Sequence, residues 1–233
     1  MNWIKENIFG LSLLAPTVII LLAVSIFPMI YTVWISLYDF YLPRPNSKAF
    51  IGLGNYIEIL QDEMFWLTMK NTAVFMFSTI FFQFSIGLGL ALVFFEEFRG
   101  KSAKAIYLPL ILLPMMVAPV VVGYIFRLLY LVQWGPLNYL LGFIGLGPFE
   151  WTADISTSMM SVILADVWQW TPFVTLVLLA GLVSLPSELF EVADMDGATL
   201  WQKLIFIILP LMTRVIAIIL LIRMVDSLRE MDK

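Results

Sequence analysis

The chain of 233 residues is 61% apolar and 13% charged, with a mean hydropathy of +0.96, more apolar surface than a soluble domain can hide, so it belongs in a bilayer. It has no cysteine and no histidine, which excludes a disulfide framework, thiolate or imidazole metal sites and histidine acid–base chemistry. The net charge of -4 is spread over loops, which argues against nucleic acid as a partner.

Stretches of roughly 20 apolar residues, the length that crosses hydrocarbon, fall near 11–37, 72–95, 105–130, 158–183 and 205–225. At these lengths only helices satisfy their own backbone in lipid, so the expected fold is an all-α polytopic membrane bundle, with residues 1–233 as a single transmembrane domain. The first span carries Pro16 and Pro28 and lacks a small-residue cleavage site, which makes it a retained helix rather than a signal peptide. Arg99, Lys101 and Lys104 sit in the 96–104 loop, whereas 131–157 has no lysine or arginine. The bias of basic residues toward the cytoplasm then places the N-terminus and the 184–204 connection inside. Arg223, Arg229 and Lys233, at or beyond the outer end of the fifth span, fit that rule poorly.

Along the chain, Phe50-Ile-Gly-Leu-Gly-Asn-Tyr56 follows the first span, with Phe65-Trp66 and Asn71-Thr72 before the second. Gly87 and Ala91 form a small-xxx-small pair suited to close helix approach. The third span holds Pro109, Pro114 and Pro119, each a possible kink, and a Met115-Met116 pair read as core packing. Gly135-Pro-Leu-Asn138 comes next, in the second outer loop.

The fourth span contains Asp166-Val-Trp168-Gln169-Trp170-Thr171-Pro172. An aspartate deep in a span costs on the order of 2.5 to 3.5 kcal/mol, so it faces a bundle interior or a wet cavity. Indoles stack on the C–H faces of sugars, and Gln or Asp bonds hydroxyls, so Asp166, Gln169 and Trp170 are candidates for a solute pathway. In the alternative, Asp166 pairs with Arg127, Arg214 or Arg223 and the tryptophans are packing.

An acidic island then separates two apolar runs. Pro186 between Ser184 and Ser187 starts a short helix, and Glu188 and Glu191 favour its N-terminal end. Leu189, Phe190, Ala193 and Leu200 form an apolar face, and Gly197 permits a bend into a second helix through Trp201, Gln202 and Lys203. With Glu188, Glu191, Asp194 and Asp196 the segment is poorly suited to an anionic lipid surface.

Glu191-Val-Ala-Asp-Met-Asp-Gly197, nine residues, then Ile207-Ile-Leu-Pro210 resembles the EAA loop of ATP-binding-cassette importer permeases, written EAAxxxG and IxLP, with Val192 in place of the first alanine. The Phe50–Tyr56 stretch resembles the FxGLxNY pattern of carbohydrate permeases of the maltose and glycerol-phosphate class, and Gly135–Asn138 their GxxN element, so that the likeness covers nearly the whole chain in order. The resemblance implies a type I importer permease (MetI-like) fold in a bacterial or archaeal cell membrane, importing a carbohydrate by alternating access. It implies as partners an ATPase dimer, a second permease subunit in a heterodimer and an extracellular or periplasmic solute-binding protein. It also implies that Glu191, Ala193, Asp196, Gly197 and Pro210 belong to the ATPase-coupling element. In permeases of the maltose type the segment N-x-W-x-x-x-P lines the pocket, which puts Asp166 at the Asn position and Gln169 and Trp170 before the proline. Such permeases continue past this point into a Gly-Gly-Pro loop and one more helix, so the chain is expected to lack the final helix.

No Walker loop GxxxxGK[ST] is present, so ATP hydrolysis is expected in a separate chain, and the permease needs no cofactor or metal and has no catalytic residue of its own. A glycerol-phosphate-like or other small polar solute is the alternative cargo. A secondary transporter would show more helices and an ion relay, and an intramembrane enzyme would need a nucleophile and base.

Overall fold

The computed structural model describes residues 2–40, 49–97 and 104–230. Arg99 and Lys101, on which the orientation rests, and Lys233 lie outside these residues. The chain divides into two compact units, Met1–Met69 and Lys70–Lys233.

In the first unit, α1 (Asn2–Ile35) contains both of its prolines without a break. Its Ser12–Ile35 stretch has the length and composition of a membrane span, and its side chains are exposed to whatever surrounds the molecule. A two-residue antiparallel ladder follows, β1 (Tyr38–Asp39) with β2 (Ala49–Phe50), in which Tyr38 pairs with Phe50. Gly52 has φ +57°, the left-handed region a side chain would resist, and turns the chain into α2 (Gly54–Gln61). Asn55 then donates to the carbonyls of Ser36 (2.8 Å) and Tyr38 (3.1 Å), while the Tyr56 and Ser36 hydroxyls bond at 2.7 Å. The Phe50–Tyr56 motif is therefore a strap that ties α2 to the end of α1.

Helix α3 (Glu63–Glu97) crosses into the second unit, followed by α4 (Lys104–Met116), α5 (Pro119–Leu129), α6 (Pro136–Gly142) and α7 (Ile155–Val183). After α7 come α8 (Ser187–Met195), α9 (Leu200–Lys203), a π-helical turn at Leu204–Ile208, α10 (Leu209–Leu211) and α11 (Thr213–Glu230). Among the described residues three helices could each cross a membrane alone, and two further spans form if each bent pair counts as one.

Two of the expected spans are broken. The third bends by 100° between α4 and α5, because Pro119 lacks the N–H that would continue the ladder and holds Ala118 extended at ψ 138°. The fifth begins at Leu200, before the expected start, and bends by 73° ahead of Thr213. Its π turn, in which the Leu209 N–H reaches back five residues to Leu204, absorbs the register shift next to Pro210. Met116, expected in the core, ends α4 and is 76% exposed.

Helix α7 is the hub of the second unit, packing against α4, α5 and α11. A Cβ on Gly87 would lie 2.9 Å from Val174, and Ala91 is fully buried, so the small pair of α3 does let its backbone approach α7. Val174, Leu178 and Leu182 of α7 join Phe94, Phe190, Ile208, Met212 and Ile219 in one buried cluster. The buried hydroxyls of Thr171 and Thr175 return to their own helix, donating to Val167 (2.6 Å) and Thr171 (2.9 Å).

Candidate functional site

The acidic island folds as a helix, a bend and a second helix. Gly197 has φ +69°, its N–H donates to Asp194 (3.1 Å), and the Ala198 N–H reaches the Ala193 carbonyl (2.9 Å). These two bonds make a Schellman cap, which explains the glycine by backbone conformation alone, since nothing lies within 4 Å of where its Cβ would be. Two residues later Thr199 and Gln202 form a capping box that starts α9. An ion pair between Lys203 and Asp194 closes the two helices on each other.

Burial sorts the residues of this element. Phe190 and Ala193 are buried, with the Phe190 ring 5.2 Å from that of Phe95 on α3. Leu189 and Leu200, expected on the same apolar face, instead lie outside with Glu188, Glu191, Val192, Met195 and Trp201. Leu189 stays 40% exposed on α8 and Leu200, beyond the bend on α9, 64% exposed, so packing covers only the Phe190 and Ala193 part of that face. Asp196 is exposed at the C-cap, and Pro210 is exposed beyond the π turn. A cleft of about 620 Å³ opens beside the bend, walled by Phe95, Phe190, Trp201, Leu204 and Ile208 together with the Asp194–Lys203 pair.

A second polar cluster lies among α3, α7 and α11. Arg223, 1% exposed, donates from Nε to Gln83 Oε1 (2.8 Å) and places Nη2 at 3.2 Å from Asp166 Oδ2. Gln83 in turn donates from Nε2 to Asp166 Oδ2 (2.7 Å). Asp226 stands 3.6 Å from Arg223 Nη1, and the guanidinium lies over the Trp170 ring at 4.9 Å. Asp166 therefore does pair with an arginine, and of the three available it is Arg223; Arg127 and Arg214 are exposed. Gln169 points elsewhere and donates to the Val117 carbonyl (3.0 Å) at the α4–α5 break. Trp168 faces Phe126, with ring centroids 5.5 Å apart.

A third knot explains the Gly135–Asn138 motif. Asn138 accepts from the Trp151 indole (2.9 Å) and the Phe149 N–H (3.1 Å), and donates to the Phe149 carbonyl (3.0 Å). Trp151 stacks on Tyr130, whose hydroxyl donates to the Ser161 carbonyl (2.6 Å). A Cβ on Gly135 would lie 2.3 Å from the Leu131 oxygen, which leaves room for glycine only.

Residues 83–231 match the family model described as binding-protein-dependent transport system inner membrane component. The chain belongs to this family. Among such inner membrane components, the trehalose/maltose transport system permease protein MalF of Thermococcus litoralis is 32% identical, over 98% of this chain and 76% of that one. The trehalose transport system permease protein SugA of Mycobacterium tuberculosis is 35% identical, over 97% and 72%. A crystal structure of a bacterial ABC transporter involved in the import of the acidic polysaccharide alginate contains a chain that superposes with TM-score 0.79 at 26% identity, covering 98% of this chain and 76% of that one. The expected permease fold is thus the observed one, and this inner membrane component is a multi-pass membrane protein.

Sequence reasoning missed Gln83 as a partner of Asp166 and left Arg223 as one of three candidate arginines. Arg223, a cation inside an apolar run and so the same kind of signal as Asp166, was also counted as an orientation marker. Its burial removes it from that count.

Proposed function

We propose that residues 1–233 act as one permease domain in a binding-protein-dependent ABC importer of carbohydrate, with ATP hydrolysed by a dimeric partner subunit. A second permease subunit and a solute-binding protein complete the assembly. The observation that carries this reading is the α8–Gly197–α9 element: it is anchored inward by Phe190 and Ala193 and presents Glu191, Val192, Met195, Leu200 and Trp201 outward. Exposed apolar side chains rimmed by carboxylates fit a groove in a protein better than an anionic lipid surface. In this reading Glu191 pairs with a basic residue of the ATPase, while Ala193, Asp196, Gly197 and Pro210 set the shape and angle of the element.

This assignment places the bend in the cytoplasm, and with it the N-terminus. The relatives named for trehalose and maltose transport support carbohydrate as the cargo. The solute path runs beside α7, along Asp166, Gln169 and Trp170; Gln169 reaches the broken third span at Val117, and broken helices line pathways because their freed backbone groups need polar company.

The test is a co-purification of the assembled transporter with Gly197→Val, whose β-branched residue resists φ +69°. ATPase recovery should fall at least tenfold while the permease still inserts. Recovery at the wild-type level would refute the docking role. Uptake of a panel of neutral and charged saccharides by proteoliposomes then tests the cargo.

A further inference from the structure

We propose that the pathway beside α7 selects uncharged, polyhydroxylated solutes over anionic ones, because the one buried guanidinium that the described residues could offer an anion is neutralised in place. The inference deepens the reading of α7 as a wall of the solute path and rests on it.

An arginine in a transport path is ordinarily the group that captures carboxylate or phosphate, since its planar fork matches them. Here the fork has neighbours on every side, although Nη1 makes an ion pair with Asp226 without a hydrogen bond. Nη2 faces Asp166 at 3.2 and 3.5 Å, Nε donates to Gln83 at 2.8 Å, Nη1 meets Asp226 at 3.6 Å, and the flat face covers Trp170 at 4.9 Å. One cation with two carboxylates leaves the cluster with a formal charge of -1. Gln83 also holds the Asp166 carboxylate from behind, with its amide donating to Oδ2 at 2.7 Å and to the main-chain carbonyl at 3.2 Å.

Among the described residues Asp166 and Arg223 are the charged side chains that are buried, and they form a neutral pair, while Asp226 is partly exposed. An anion approaching Trp170 would meet a field that is neutral to repulsive in surroundings of low dielectric. A neutral sugar meets instead a half-buried indole on which its C–H faces can stack. The fold alone does not set this preference. The same architecture serves the alginate importer, which acts on an acidic polysaccharide, so the discrimination must reside in side chains such as these.

Residues 1–233 contain no cysteine, so a single introduced thiol is unique within them. In the complete transporter reconstituted in proteoliposomes, Trp170→Cys is labelled with methanethiosulfonates of similar size that carry a hydroxyl, a sulfonate or a trimethylammonium group. Labelling of the permease band is followed over time. Phe173→Cys, whose native ring neighbours that of Trp170 at 6.3 Å, serves as the second position if the first variant assembles poorly.

The neutral reagent should react at least about tenfold faster than the sulfonate, and adding Asp166→Asn should raise the relative rate of the sulfonate by about tenfold, as expected for one unit of charge removed nearby. Equal rates for neutral and anionic reagents, or a ratio that Asp166→Asn leaves unchanged, would overturn the charge selection while leaving α7 on the path. Failure of all three reagents at both positions would overturn the path reading itself.

Discussion

Gln169 of α7 donates its side-chain amide to the carbonyl of Val117 at 3.0 Å, at the point where the third span turns by 100°. A helix interrupted inside hydrocarbon frees carbonyls that water cannot reach, and each left unmet is costly. Gln169 meets one of them, so the broken span and α7 are held together at the break.

Gln169→Leu is therefore expected to lower the stability of the detergent-solubilised protein by about 1–3 kcal/mol, the range for orphaning a buried polar group. Gln169→Glu, which keeps the size but replaces the donor by an acceptor, should be worse. Thermal unfolding followed by tryptophan fluorescence measures both. A transition unmoved by Gln169→Leu would mean that the Val117 carbonyl needs no such partner.

The Asp166–Arg223 pair should behave as a unit. Removing either charge alone, as Asp166→Leu or Arg223→Met, leaves the other buried without its main counter-charge and should destabilise by about 3–5 kcal/mol. The double variant should recover a large part of that loss, since neither desolvated ion then remains. A double-mutant cycle on the same unfolding assay decides the matter, and strict additivity would show that the two charges are not coupled.

Two glycines separate space from conformation. Gly135→Ala should abolish accumulation of folded protein, because its Cβ would overlap the carbonyl oxygens of Leu131 and Leu129 at 2.3 and 2.5 Å. Gly197→Asn should be tolerated at a loss of about 1 kcal/mol, because the position demands φ +69° but has open space around it. Membrane expression and the melting temperature of the purified protein distinguish the two outcomes, and equal tolerance at both positions would contradict the geometry.

At the start of α7, Asp154 accepts from the Ser156 N–H at 2.9 Å, and these hydrogen bonds hold its carboxyl below the usual range. A carboxylate depressed in the folded state contributes stability that is complete above its unfolded pKa of about 3.9 and is lost as pH falls through the lower, folded value. Amide protection at Ser156–Ser158 should therefore fall on acidification below about pH 4. Asp154→Asn keeps the cap without the charge, and its protection should not vary with pH. Hydrogen exchange with correction for intrinsic rates reads the difference, and identical profiles for the two proteins would exclude Asp154 as the titrating cap.

Much of the fold was legible because lipid allows few choices. Apolar runs of span length must be helices, and Pro186 and Gly197 act through backbone rules that operate within a few residues, as does the Thr199–Gln202 capping box, a signal passed over in the sequence. The prolines of the third span announced a kink, but a 100° bend depends on how α4 and α5 pack on α7, which no local pattern encodes. The failure at Leu189 and Leu200 has a related cause, since periodicity defines a face of a helix without saying how much of it has a neighbour to cover it.

The sequence by itself determined the membrane class, the helical content, the acidic turn with its glycine and the unusual presence of Asp166 in an apolar run, all of which follow from composition and short-range sterics. Only the tertiary structure decided who meets whom. Gln83 and Arg223 are separated by 140 positions, yet their side chains meet at 2.8 Å, and which of three arginines answers Asp166 depends on the rotation of α11 against α7. Charge in a low dielectric makes that meeting compulsory, but packing chooses the partner, and that choice sets the charge a passing solute would face.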